Sequence, residues 1–557
     1  MGMSYAEALS ALTGPGAPFE MVEEEVRGVR VRNFRNRERS LREKIANAAL
    51  RGEQEFLVQG GRRISYGAFA RQVWGTAEAL ERRFGLKRGE RLAVLAYNSP
   101  DWLIPLFAAT SLGGIGVGLN GWWAEEELAY ALEDSGSRFL VVDERLYPRV
   151  EPILRRRAGP EHVFFIGERP PEGTIPVGRI LEESDRMPEV PIDEDDPFVL
   201  LYTSGTTGRS KACITTHRGT ITQVLGIAFG AVAQSLVSGT PGALSGGAQT
   251  SLLTSPLFHV AGLHSSFCTA LTSGARVVLP EGRFDPEEIM RLIERERVTL
   301  WGAIPTMLHR VVHHERVGDY DLSSLRAITF GGAPTAPETI DRAREVLPVE
   351  PSLGNAYGLT ETHGVATLNT GADLLRRKTA AGRPLPVLDL RIAREDGSPA
   401  DPGELGEIRF RGPTVTPGYW NRPDATAETV VDGWLHTGDI GFVDAEGFLT
   451  VVDRAKDMIL RGGENVYCVE IENCLAEHPE VDEAAVVGIP DPELGERVAA
   501  AVRPVPGRRP DPAALQRHVG AHLAAFKVPE KILFVDDPLP RNPAGKLLKR
   551  QIAEWFA

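Results

Sequence analysis

At 557 residues the chain exceeds what one compact core organises, so two or more domains are expected. With 42% hydrophobic and 25% charged residues, composition excludes wholesale disorder. A net charge of −14, from 62 basic and 76 acidic residues, disfavours nucleic acid as a partner and requires any anionic ligand to be met by a local cationic site. The 4 cysteines, Cys213, Cys268, Cys468 and Cys474, show no zinc-type pairs, and Cys468 and Cys474 are spaced too loosely to read as a metal site. Free thiols in a reducing cytoplasm are the simplest reading. The N-terminus lacks a basic-then-apolar signal pattern, and Ala6 stands where a myristoylation signal needs Ser or Thr. Two uncharged stretches, 103–123 and 219–275, are interrupted by Pro, Gly or polar residues and read as interior, not membrane-spanning.

In chain order, the acidic patch Glu23 to Glu25 and the arginine-rich run Arg27 to Lys44 read as a solvated face, with weak membrane-surface contact as the alternative. From Ile64 a strand–helix rhythm begins. Ser65-Tyr66-Gly67 opens a helix through Leu80, Arg91 to Leu95 is a strand, and Asp101 to Leu112 a helix. Glu125 to Glu133 is a helix with acidic residues in its first turn and Gly136 past its end, as capping and the helix dipole favour. Phe139 to Val142 and Phe198 to Leu201 are strands, and His217 to Val232 a helix. Residues 239–249 form a flexible loop. Val277 to Leu279 is a strand, Asp285-Pro286 an N-cap and first turn, and Val298 to Trp301 and Ala327 to Phe330 are strands. This alternation implies parallel doubly wound sheets. From Leu388 short strands and Asp/Gly turns suggest a small antiparallel, barrel-like subdomain. Beyond Asp453 lies a compact α+β unit, with helices at Val469 to Leu475, Ala513 to Leu523 and Leu547 to Trp555 and strands at Ala484 to Ile489 and Ile532 to Val535.

Chemistry concentrates first at Tyr202-Thr203-Ser204-Gly205-Thr206-Thr207-Gly208-Arg209-Ser210-Lys211, which follows a buried strand. Glycines let backbone N–H groups crowd an anion, hydroxyls donate to phosphate oxygens or bind Mg²⁺, and lysine adds charge. A Walker A loop is excluded by spacing, since Lys211 lies three beyond Gly208 and Ala212 follows it. Downstream stand Asn355-Ala356-Tyr357-Gly358-Leu359-Thr360-Glu361, Thr437-Gly438-Asp439, Asp453-Arg454-Ala455-Lys456, Gly462-Gly463-Glu464-Asn465-Val466-Tyr467 and Pro540-Arg541-Asn542-Pro543-Ala544-Gly545-Lys546.

These ordered motifs, over residues 50 to 550, resemble the acyl-adenylate-forming superfamily of acyl- and aryl-CoA ligases, firefly-type luciferases and peptide-synthetase adenylation domains. The resemblance implies an α/β multidomain fold. Its N-terminal domain, 1–453, carries two doubly wound sheets and the small β-barrel; residues 454–458 form a hinge, and 459–557 a mobile α+β domain with a catalytic lysine. It implies MgATP held by Thr203, Ser204, Gly205, Thr206, Thr207, Gly208 and Lys211, with Gly332, Ala333, Pro334, Asn355, Ala356, Tyr357, Gly358 and Thr360 around the nucleotide. Asp439 and Arg454 would meet the ribose, Thr206 and Glu361 the Mg²⁺. Lys456 would be the pivot, and Gly462, Gly463, Glu464 and Tyr467 would line a coenzyme A tunnel, with Cys468 where the family often has proline. Lys546, Thr206, Glu361 and His259 are the implied catalytic set.

His259, in Pro256-Leu257-Phe258-His259, has no acid beside it, which argues against an amino acid substrate. The surrounding uncharged run points to an apolar acyl pocket with Val260, Ala261, Gly262, Trp301 and Gly332 as walls. The expected activity joins a fatty, aryl or alicyclic acid to coenzyme A through an acyl-AMP. The rivals are a fatty-acyl-AMP ligase that loads a carrier protein, a luciferase-like oxidase and a non-catalytic nucleotide sensor. A homodimer is left open by the sequence.

Overall fold

A computed structural model describes residues 2–156, 159–203, 210–239, 248–333, 335, 337–347, 352–454, 457–461, 464–491, 494–542 and 545–556. Apolar runs such as Leu92 to Leu95 and Leu140 to Val142 are buried on both faces, as central strands of a covered parallel sheet must be. Among the described residues they belong to a seven-stranded sheet ordered 211–216, 197–203, 115–118, 91–95, 139–143, 162–166 and 175–176. A nine-stranded sheet is ordered 383–384, 364–370, 352–359, 327–331, 300–303, 250–253, 276–278, 55–59 and 62–65. Both are mainly parallel in their centres and antiparallel at an edge. The helices Tyr66–Phe84 and Pro100–Ser111 pack against each other over one continuous apolar core.

The short-strand region forms an antiparallel five-stranded sheet, Asp389–Ala393, Gly406–Arg411, Trp434–Val443, Val430–Val431 and Leu449–Arg454. A separate C-terminal domain builds its own five-stranded sheet around the long hairpin Val481–Asp491 and Gly495–Pro504, with cores on both faces.

Local chemistry accounts for most helix ends. Asp285 accepts the Glu288 N–H at 2.9 Å with Pro286 behind it, and Ser65 caps Tyr66–Phe84. The helix His217–Ser238 runs past the Val232 end expected from its pattern and stops at Gly239, whose φ of 67° supplies a left-handed cap. It is the one helix among the described residues long and apolar enough to cross a membrane, and it packs against Tyr5–Thr13 and the π-helix Ala261–Cys268. Most of residues 239–249 lie outside the described set. The last helix, Lys549–Glu554, is shorter than expected because Leu547 pairs with Arg541 in a β-bridge.

The solvated-face reading holds for Arg30, Arg32, Arg35 and Arg39, which are exposed, and fails for Arg37 and Lys44, which are buried. Met21–Val26 and Val29–Phe34 form a hairpin that sets Glu23 opposite Arg32 and Glu25 opposite Arg30. Its carboxylate Glu24 meets Arg37 at 2.8 Å and Arg218 at 2.7 Å, and Glu194 and Asp195 complete the network. The Arg37 side chain is 1% exposed. Removing one partner of such a buried set costs about 3–5 kcal/mol, because the other charge is stranded. Arg37 and Arg218 fasten the hairpin to the rest of the chain.

Candidate active site

Parallel α/β sheets bind ligands outside the C-terminal ends of their strands, and the candidate residues of both sheets lie at such ends. From the first sheet, Thr203 pairs in register with Lys211 and its Oγ1 donates to the Lys211 carbonyl at 3.4 Å. These two residues flank the loop expected to hold phosphate, whose Ser204, Gly205, Thr206, Thr207 and Gly208 lie outside the described residues. The Lys211 ammonium stands 5.2 Å from the centre of the Tyr419 ring, and the Tyr419 hydroxyl donates to Glu361 Oε1 at 2.6 Å. Lys211, Tyr419 and Glu361 thus come together from three distant segments. No other protein group bonds the Glu361 carboxylate among the described residues, so its second oxygen is available to a hard cation.

From the second sheet, Gly331 lies beside Ala356 in the parallel register, and Gly332 follows at φ 82°, a conformation suited to glycine. Gly332, Ala356, Tyr357 and Gly358 line a cavity of about 950 Å³. Ala333 continues this turn, partly exposed, and Pro334 lies outside the described residues. Asn355 turns away and donates to the Ala380 carbonyl at 3.2 Å; Thr360 begins the 3₁₀ turn that carries Glu361. The Tyr357 hydroxyl donates to Asp439 Oδ2 at 2.6 Å, and Asp439 pairs across the sheet with the backbone of Arg454.

The cavity continues between the helix His217–Ser238 and the strand Gly364–Thr370, and its exposed wall is mainly apolar. Val260, Ala261 and Trp301 line it as expected. Gly262 does not: it packs on the Pro256 backbone so closely that a Cβ would sit 2.2 Å from the Pro256 carbonyl oxygen, which leaves it behind the wall. His259 is likewise not among the lining residues; it is half-buried, and its Nε2 is buried with no hydrogen-bond partner among the described residues. An unpaired nitrogen in this position can bond a polar group of a ligand. At the far end Arg383 lies between the rings of Tyr5 and Phe448, at 4.7 and 3.9 Å, and pairs with Asp373.

Lys546 reaches this centre from the C-terminal domain. Gly545, at φ 79°, is packed so that a Cβ would lie 3.0 Å from Ile304 and 3.4 Å from Thr306 on the cavity rim. Burial, followed by the Lys546 ammonium, lowers the His259 pKa to about 4, so the imidazole is neutral at pH 7. Lys456, Gly462 and Gly463 lie outside the described residues. Glu464 pairs by backbone with Arg461, and Tyr467 sits at the N-cap of the helix Cys468–Ala476.

Sequence reasoning missed Tyr419 and His363. His363 is buried at φ 58°; its Nε2 accepts the Thr216 N–H at 2.8 Å and its Nδ1 donates to the Thr414 carbonyl at 2.7 Å. It thereby ties the strand after the phosphate loop to the Glu361 turn and the third sheet. A Cβ on Gly219 would fall 2.3 Å from His363 Nε2, the one trace of this contact in the sequence.

Residues 45–420 match the family described as AMP-binding enzyme, and residues 470–546 its C-terminal domain. The chain is 37% identical over 500 residues to a feruloyl-CoA synthase of an Amycolatopsis species, covering 89% of this chain and 95% of that one. It is 37% identical over 498 residues to an indoleacetate–CoA ligase of Aromatoleum aromaticum, covering 89% and 94%. Among solved structures, the amide bond synthetase McbA of Marinactinospora thermotolerans superposes with a TM-score of 0.81 at 31% identity, over 93% of this chain and 100% of that one. The chain therefore belongs to the AMP-binding enzymes, the acyl-adenylate-forming superfamily, and within it to the acyl-CoA synthetase type.

Proposed function

We propose that the protein activates an apolar carboxylic acid with ATP and transfers the acyl group to coenzyme A. The observation that carries this reading is the seating of Gly545, the neighbour of Lys546, against Ile304 on the wall of a mainly apolar cavity. In the first step an oxygen of the acid attacks the α-phosphorus of ATP, a C–O–P bond forms, and the bond to pyrophosphate breaks. Lys546 offsets the charge that two converging anions develop, a role in which a fixed cation is most effective away from water. Neutral His259 offers its orphaned Nε2 to the substrate carboxyl. Tyr357 and the neighbouring glycines accept the adenine, with Asp439 and Arg454 at the ribose. Thr203, Lys211 and residues 204–208 hold the phosphates that leave. Mg²⁺ is a group that Glu361 fits, with Thr206 as its expected partner, and it would screen the phosphate charge.

In the second step the thiol of coenzyme A attacks the acyl carbon and AMP departs. The domain 459–557 turns about 454–458, with Lys456 as pivot, and brings Gly462, Gly463, Glu464 and Tyr467 to the pantetheine arm. The cavity wall supports a fatty, aryl or alicyclic acid, and the feruloyl- and indoleacetate-directed relatives make aryl-substituted acids the first class to test. Pyrophosphate release over a panel of such acids, with and without coenzyme A, decides the matter. Pyrophosphate release that yields no acyl-CoA when coenzyme A is present would reject this reading of the acceptor.

A further inference from the structure

The C-terminal domain brings together three side chains that the proposed reaction does not use. Cys474 lies on the buried face of the helix Cys468–Ala476, and His518 and His522 lie one turn apart on Pro512–His522, the helix packed beside it. One donor atom from each, the Cys474 sulfur and a nitrogen of each ring, lies within 4.8 Å of the other two.

The backbone fixes which ring nitrogens are free. His518 Nε2 donates to the Cys474 carbonyl at 2.9 Å, and His522 Nδ1 donates to the His518 carbonyl at 2.8 Å. A carbonyl only accepts, so each of these nitrogens carries the proton and the opposite nitrogen keeps its lone pair. Metal-binding histidines adopt this same arrangement, one nitrogen on the ion and the other on a carbonyl. His478 lies edge-on to His518 at 5.2 Å, but its Nδ1 accepts the Glu480 N–H at 3.3 Å, which puts the proton on its outer nitrogen and removes it from the set.

We infer that Cys474, His518 and His522 form a site for a soft divalent cation of the Zn²⁺ class, with a fourth position open to water. On binding, the sulfur gives its proton to solvent and forms one bond to the ion, and each imidazole, turning about its side-chain bonds where needed, forms another through the nitrogen that keeps its lone pair. Thiolate and imidazole together favour such an ion over Mg²⁺, which prefers oxygen. Bonds of about 2.0–2.3 Å would draw the three donors together by about 1 Å, within reach of rotation of the exposed His522 side chain.

The test uses the full chain, stripped with chelator, in excess Mg²⁺, titrated with Co²⁺ alone and then with Zn²⁺. One equivalent of Co²⁺ should give a thiolate-to-metal band in the near ultraviolet with tetrahedral visible bands, and Zn²⁺ should abolish both. Cys474→Ser should lose the near-ultraviolet band. His522→Ala, at an exposed position that leaves folding intact, should weaken binding at least about tenfold. A titration without a thiolate band, or a band that persists at full strength in both variants, overturns the assignment.

Discussion

The backbone N–H of Cys468 donates to Oδ2 of Asp453 at 2.6 Å, and the two residues lie on opposite sides of the segment 454–458. The Cys468 thiol adds a hydrogen bond to the Asp457 carbonyl at 3.0 Å. A proline at this position, frequent in the superfamily, cannot donate. Cys468 is the first residue of its helix, where proline is otherwise tolerated, so Cys468→Pro removes the bond without breaking the helix. A hydrogen bond to a charged group is worth about 1.5–3 kcal/mol. The variant should cleave faster at 454–458 under limited proteolysis and lose adenylation rate relative to thioester formation. Unchanged proteolysis and an unchanged ratio of the two half-reactions would show that this contact does not restrain the domains.

Lys546→Ala should slow ATP–pyrophosphate exchange by about 10²–10³, the scale of losing one electrostatic stabiliser. Thioester formation from supplied acyl-AMP should change little, because the lysine serves only the first step. Exchange at the wild-type rate would remove Lys546 from the mechanism.

Tyr419→Phe deletes the hydroxyl that holds Glu361 at 2.6 Å. The carboxylate then loses its fixed direction, and the concentration of Mg²⁺ needed for half-maximal exchange should rise about tenfold, as for loss of a partner that orients a ligand. A magnesium titration of the variant provides the check, and an unshifted midpoint would mean that Tyr419 does not orient this carboxylate.

Three buried histidines and half-buried His259 set an acid limit on stability. Burial lowers the pKa of His259 and of His264 to about 4 and of His217 to about 3, and holds His363 well below its ordinary value. Each is neutral when folded and takes up a proton near pH 6.5 when unfolded. Stability is therefore full above pH 6.5 and falls as pH drops toward 4, by up to about 1.4 kcal/mol per pH unit for each histidine. Between pH 6.5 and 5 carboxylates of the unfolded chain stay ionised, so the loss there belongs to histidine. Denaturant unfolding at pH 7, 6 and 5 measures it; a flat profile would contradict the buried neutral state.

Much of this architecture was legible because it is local. Asp285-Pro286 announces a helix start, Gly136 a helix end, and the apolar run before Thr203 a buried strand, each through chemistry confined to a few residues. The hairpin 21–34 was not, because charges line both its faces and their partners, Glu194 and Arg218, lie far along the chain. The same limit applies in the site. The nucleotide motifs are contiguous strings, whereas Tyr419 meets Glu361, and His363 meets Thr216, only after the sheets have brought them together. Gly262 was misplaced for a related reason: its motif marks the acyl region, but only packing against Pro256 decides which side of the backbone faces the cavity.

Tyr5 closes the cavity from the helix Tyr5–Thr13, while the walls it meets come from the helix His217–Ser238 and from Arg383 and Phe448. During synthesis Tyr5 leaves the ribosome long before any of those partners exists, so the stopper is made first and seated last. A chain cut in the turn between Thr13 and Met21 would keep Lys546 and residues 203–211 yet hold a cavity with one end ajar. Fusions placed ahead of this helix would then alter which acids are accepted before they altered whether ATP is consumed.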